Sequence, residues 1–238
     1  MNAMVTETEI VLSMDTLVSK RLPEGNIEPS YFTQKFEILP FAKSIIAGTG
    51  SFGVIELAIS LARKMLVRDV TTLARILSDY LRDRDNSDLL PGKSTATVYI
   101  FGFDKGGKTR AYALRSTADF SVNEVASTDN PNTLLKPQPD NKQHLQELTN
   151  YVRDSDARID ERFVQIMRKQ KEWDDALEDT NENKVGIGGE NTLVSIADDF
   201  QQVALFKIDI FPDYEEQYKF CLKGSGANSV RDDHLTSY

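Results

Sequence analysis

Gly48-Thr49-Gly50-Ser51-Phe52-Gly53 matches the G-x-G-x-x-G pattern of a phosphate-binding turn. In that pattern the glycines let the backbone approach a pyrophosphate, and a following helix offers its N-terminal N–H groups. Asp69 lies near the distance at which a ribose-binding acid would be sought. The chemistry needs a strand before the turn, a helix after it and a second parallel strand beyond. Met65 to Val70 make a poor second strand, because Arg68 and Asp69 interrupt them. The plainer reading is a tight strand-to-helix turn whose glycines allow close packing.

Asp15 and Lys35 are a second pair of interest, a carboxylate and an ammonium placed at predicted strands. Taken alone they read as a structural ion pair, which says little about stability. Gly186, Gly188 and Gly189 read as bulge or turn residues, because no helix is predicted to follow them as a phosphate site would require. The acidic run from Asp174 to Glu182 reads as a solvated helix end, and Trp173 as a core residue. Cys221 is the only thiol, so no intrachain disulfide or Cys-rich metal site can form. His144 and His234 lie far apart, which argues against a histidine zinc site, and no cofactor is implied.

A length of 238 residues suits one large domain with a substantial core. We place that domain at residues 1–223 and a polar Gly/Ser/Asp-rich tail at 224–238. The net charge of −9 repels phosphate backbones and makes nucleic acid an unexpected partner. No apolar run reaches the length of a membrane span, and the start lacks the basic and apolar parts of a signal peptide, so a cytoplasmic location is expected.

The pattern predicts a short strand from Met1 to Val5, a turn at Thr6 to Glu9 and a buried strand from Ile10 to Met14. Lys20 to Ser30 reads as a loop on account of Pro23, Gly25, Asn26 and Pro29. Strands are predicted at Phe32 to Leu39 and Lys43 to Ala47, split by Pro40. Two helices follow, one carrying Val54, Leu57, Ala58 and Leu61 on one side, the other running from Val70 to Arg84 with Thr71 or Thr72 as its cap. A hairpin spans Thr95 to Leu114 around Asp104-Lys105-Gly106-Gly107, and a further strand lies near Phe120 to Val125. Ser127 to Asn141 reads as a loop, Gln143 to Leu177 as one or two helices, Val185 to Ala197 and Val203 to Phe211 as closing strands, and Asp213 to Cys221 as a last helix. Runs of strands and runs of helices, rather than alternation, predict an α+β fold, and a four-layer α-β-β-α sandwich of mainly antiparallel sheets fits this order.

Three segments in that order carry a resemblance. Ile10-Val11-Leu12-Ser13-Met14-Asp15-Thr16, Lys35-Phe36-Glu37-Ile38-Leu39 and Ser44-Ile45-Ile46-Ala47-Gly48 resemble strands of proteasome-type (HslV-like, 20S β-like) members of the N-terminal nucleophile hydrolase superfamily. The resemblance implies amide or peptide bond hydrolysis by an N-terminal hydroxyl, with the free α-amine as base. By position it implies Lys35 as the lysine beside the nucleophile, Asp15 as its partner and the Gly48 N–H as oxyanion donor. It also implies a homo-oligomer, a ring among the options, and a peptide or amide substrate if the chain is active. Met1, Asn2 and Ala3 carry neither hydroxyl nor thiol, and Thr6 falls in the predicted turn. Three expectations stay open on that account: a non-catalytic oligomeric subunit, a true start upstream of Met1, or a family likeness of fold only. A dinucleotide-binding protein using Gly48 to Gly53 is the remaining alternative.

Overall fold

A computed structural model describes residues 1–86, 95–139, 141–153 and 156–224. Beyond Gly224 the predicted tail lies outside the described residues. Among those residues the protein is α+β, with three antiparallel sheets and five α-helices. The first sheet is built from β1 (Asn2–Val5), β2 (Glu9–Asp15), β10 (Asn132–Leu135), β11 (Glu190–Ala197) and β12 (Gln202–Ile210), in the order β10-β1-β2-β11-β12. The second runs in chain order through β5 (Phe36–Leu39), β6 (Ser44–Gly50), β7 (Ala96–Phe103), β8 (Thr109–Arg115) and β9 (Val122–Ser127). A two-stranded third sheet pairs β3 (Leu17–Arg21) with β4 (Ile27–Phe32).

Alternation along β2 explains how the sheets pack. Ile10, Leu12 and Met14 point one way into a core shared with Ile45, Tyr99, Phe101 and Ala113 of the second sheet. Val11 points the other way, toward Phe163 of α4 (Ile159–Asp175) and Leu193 of β11. On the far side of the second sheet, α1 (Phe52–Ala62) and α2 (Val70–Asn86) bury Val54, Ile55, Ala58, Leu73, Leu77 and Leu81 against Ile46, Val98, Ile100 and Leu114. The remaining helices are α3 (Lys142–Arg153) and α5 (Tyr214–Gly224). No helix among the described residues is long and apolar enough to cross a membrane.

Several local expectations are corrected. The segment from Lys20 to Ser30 lies largely within β3 and β4 and their connecting turn; Pro29 is tolerated in β4 because the register shifts at Val18/Ser19, where it faces Ser19. β5 begins only at Phe36, so Lys35 sits in the connector between β4 and β5. Ser127 to Asn141 contains β10, which pairs with β1. Asp69, rather than Thr71 or Thr72, caps α2: its Oδ1 accepts the Thr72 N–H at 2.8 Å and its Oδ2 accepts the Thr72 hydroxyl at 2.8 Å. The dinucleotide reading loses its frame, because β6 pairs antiparallel with both β5 and β7 and no parallel βαβ unit surrounds Gly48 to Gly53.

Candidate functional site

Asp15 ends β2, and Lys35 reaches it from the connector before β5. Lys35 Nζ donates to Asp15 Oδ2 at 2.8 Å, with the two side chains 17% and 8% exposed. Gly188 N–H donates to the same oxygen at 3.4 Å. The pair bridges the two five-stranded sheets at one end. Gly48 is close by in register: the last pair of the β5–β6 ladder is Phe36–Ala47, so one further step brings Lys35 level with Gly48.

The first residue completes this corner. Met1 and Lys136 exchange both backbone bonds, the α-amine donating to Lys136 O at 2.8 Å and Lys136 N–H donating to Met1 O at 2.9 Å. The α-amine is fully buried, and its pKa is lowered from 8.0 to about 5. Burial is the largest cause; the Asp15 carboxylate opposes it and the Lys35 ammonium adds to it. The amine is therefore neutral at pH 7, in the field of the Asp15–Lys35 pair. The Met1 side chain is 4% exposed and packs into the core between the sheets.

β1 is held from behind by a reciprocal amide pair that sequence reasoning missed. Asn2 Nδ2 donates to Gln170 Oε1 at 2.7 Å, and Gln170 Nε2 donates to Asn2 Oδ1 at 3.0 Å and to Pro137 O at 2.9 Å. Asn2 is 0% and Gln170 2% exposed. The available signal was a polar residue within a short strand otherwise apolar from Met1 to Val5, and a glutamine among the apolar positions of α4.

Gly48 is required for packing whatever else it does. A Cβ there would lie 2.6 Å from Ile55 Cγ1 and 2.8 Å from Thr97 O, so the glycine lets α1 settle onto β6. Asp174, read from sequence as solvated, is 3% exposed. Its carboxylate accepts N–H bonds from Val185, Gly186 and Ile187, and burial pushes its pKa up against those bonds. The Gly186–Gly189 segment thus wraps a buried carboxylate, with Gly186 at φ +71° and Gly189 at φ +79°. Trp173 stacks on His144 with ring centroids 4.1 Å apart, half-buried rather than in the core.

No family model matches the chain. No curated protein matches it either. Solved structures do. The chain is similar to a Gly-1 mutant of Anbu from Hyphomicrobium sp. strain MC1, with TM-score 0.60, 14% identity and 97% of each chain covered. It is similar to Anbu from Yersinia bercovieri, described as an ancestral beta-subunit, with TM-score 0.59, 15% identity and 99% of each chain covered. A helical assembly of the Anbu complex from Pseudomonas aeruginosa matches with TM-score 0.54 and 13% identity, over 95% of this chain and 92% of that one. These likenesses correct the resemblance drawn from sequence: the similar structures are Anbu chains, not the HslV-like or 20S β-like type expected, and at this identity they establish the fold alone. The physical reason is that the three quoted segments fix strand order and strand ends, which a whole fold shares, and not the features that separate one type within it.

Proposed function

We propose that the corner formed by Met1, Asp15, Lys35 and Gly48 serves amide or peptide bond hydrolysis. The observation that carries this reading is the buried α-amine of Met1, neutral at pH 7 and placed with the Asp15–Lys35 pair. A neutral amine can take the proton from an attacking group, a nearby ammonium stabilises negative charge as it develops, and Asp15 keeps that ammonium in place. Gly48 N–H is assigned as oxyanion donor from its register beside Lys35. Met1 carries a thioether, which cannot be acylated, so with Met1 as the first residue the attacking oxygen would come from water. Its proton passes to the α-amine, the carbonyl carbon–nitrogen bond breaks, and the leaving nitrogen takes the proton back.

The test is hydrolysis of fluorogenic peptides by the chain as it stands, by Lys35→Ala and by Met1→Thr with Thr as first residue. The reading expects slow hydrolysis that Lys35→Ala abolishes and Met1→Thr raises. Hydrolysis that survives Lys35→Ala overturns it.

A second reading is a non-catalytic subunit of a self-assembling protein, a ring among the options. Two observations favour it: the Met1 side chain is locked in the core, and one structural neighbour is described as a helical assembly. A mass that stays monomeric at every concentration by light scattering would remove this reading. Both readings take the two large sheets and their helices as a four-layer α-β-β-α sandwich.

A further inference from the structure

β10 is an edge strand of the first sheet, and its backbone groups can be sorted by direction. Met1 and Lys136 form a doubly bonded pair, and bonded pairs alternate along an antiparallel ladder. Leu134 and Asn132, opposite Ala3 and Val5, therefore direct their N–H and C=O groups toward β1. Leu135 and Thr133 direct theirs away from it. The Thr133 N–H is taken by Asn132 Oδ1 at 2.8 Å. The Leu135 N–H, the Leu135 C=O and the Thr133 C=O remain open, and among the described residues none of the three has a partner.

These groups line a groove of about 620 Å³ whose other wall is α3, through Leu145, Thr149 and Val152. Lys136 and Arg153 supply its charges. The described lining contains no carboxylate, in a chain with 37 acidic residues. Side chains alternate along β10: Leu134 packs into the core between the sheets, so Lys136 shares that face while Leu135 and Thr133 face α3. Lys136 is half-buried, and burial together with Arg115 lowers its pKa, the state of an ammonium that lacks a carboxylate.

We propose that this groove binds an extended acidic peptide from another polypeptide, which adds as a strand to the open edge of β10. Alternate side chains of such a strand rest on Leu145 and Val152 or lie toward Lys136. Apolar residues suit the first set and Glu or Asp the second. The bound strand would lie two strand spacings, roughly 10 Å, from β1 and so from the α-amine of Met1. Binding does not require hydrolysis, so this inference stands apart from the proposed activity.

The experiment is fluorescence anisotropy on the full chain with a labelled hexapeptide of alternating Val and Glu. Its controls are the same peptide with Lys for Glu, and two forms N-methylated at one or the other alternate set of amides. We expect the Glu peptide to bind at least about tenfold more tightly than the Lys peptide. One methylated set should lose about tenfold or more while the other binds as before, because only one set faces β10. Lys136→Ala should weaken the Glu peptide, and Lys136→Glu should reverse the preference, with thermal unfolding unchanged in both. Equal binding of Glu and Lys peptides, equal loss with either methylated set, or no binding at millimolar protein would each overturn the proposal. Binding that appears only after residues 225–238 are removed would assign the groove to the chain's own end and overturn a partner in trans.

Discussion

Lys35 Nζ lies 2.8 Å from Asp15 Oδ2, joining a connector that precedes one sheet to the last residue of a strand in the other. Both side chains are largely buried, so each depends on the other. Asp15→Asn removes the charge but keeps an acceptor for the Gly188 N–H. Leaving the Lys35 ammonium uncompensated should cost roughly 3 kcal/mol of unfolding free energy, measured by urea denaturation. A double variant, Asp15→Asn with Lys35→Met, should recover most of that loss, because the uncompensated charge is gone.

The buried α-amine makes stability depend on pH in a defined window. Its folded pKa of about 5 lies below the unfolded value of 8.0, so between pH 5 and 8 the unfolded chain binds more protons. Stability contributed by this group is therefore full above pH 8 and falls as the pH drops toward 5. The span is on the order of 4 kcal/mol if the shift is fully expressed. Denaturation midpoints measured from pH 8.5 to about 5 should fall in the native chain, and should fall less when the α-amine is acetylated. Lys35→Met removes a charge that lowers the amine's pKa, so an NMR titration of the first residue should move upward.

The Asn2–Gln170 pair should behave as a unit. Asn2→Ala or Gln170→Ala alone leaves a buried amide without its partner, at a cost of about 1–3 kcal/mol each. The double variant should cost clearly less than the two singles added together, with a coupling of about 1 kcal/mol or more in a thermodynamic cycle. Additive losses would show that the two amides do not support one another.

Gly48→Ala tests the packing role of that glycine. The added methyl meets Ile55 Cγ1 at 2.6 Å and the Thr97 carbonyl at 2.8 Å, and a carbonyl in a ladder cannot move aside easily. Destabilisation of about 1–3 kcal/mol is expected by thermal unfolding. Gly48→Ala should cost less when introduced into an Ile55→Ala background than into the native chain, because the first clash is with a side chain that the second change shortens.

What could be read without coordinates was whatever a short window of residues encodes. The alternation of Ile10, Leu12 and Met14, the helical spacing of Val54, Ala58, Leu73 and Leu77, and the turn at Asp104 to Gly107 follow from local periodicity and turn chemistry, and these elements lie where they were expected. Asp15 and Lys35 could be named only through the resemblance that the three segments carry. Their meeting, and the neutral amine beside them, needed the two sheets to stack and Met1 to be sealed by Lys136. Polar side chains mislead for the same reason. Asp174 looked solvated and Asp69 lay near where a ribose-binding acid would be sought, yet one is buried beneath three N–H donors and the other caps a helix. β10 was hidden among prolines because a strand of four residues draws its stability from its partner β1, distant along the chain (Asn2 pairs with Leu135 and Val5 with Asn132). Composition and period determined the elements; pairing across long stretches of chain, where desolvation and hydrogen bonding are settled together, decided which groups come together.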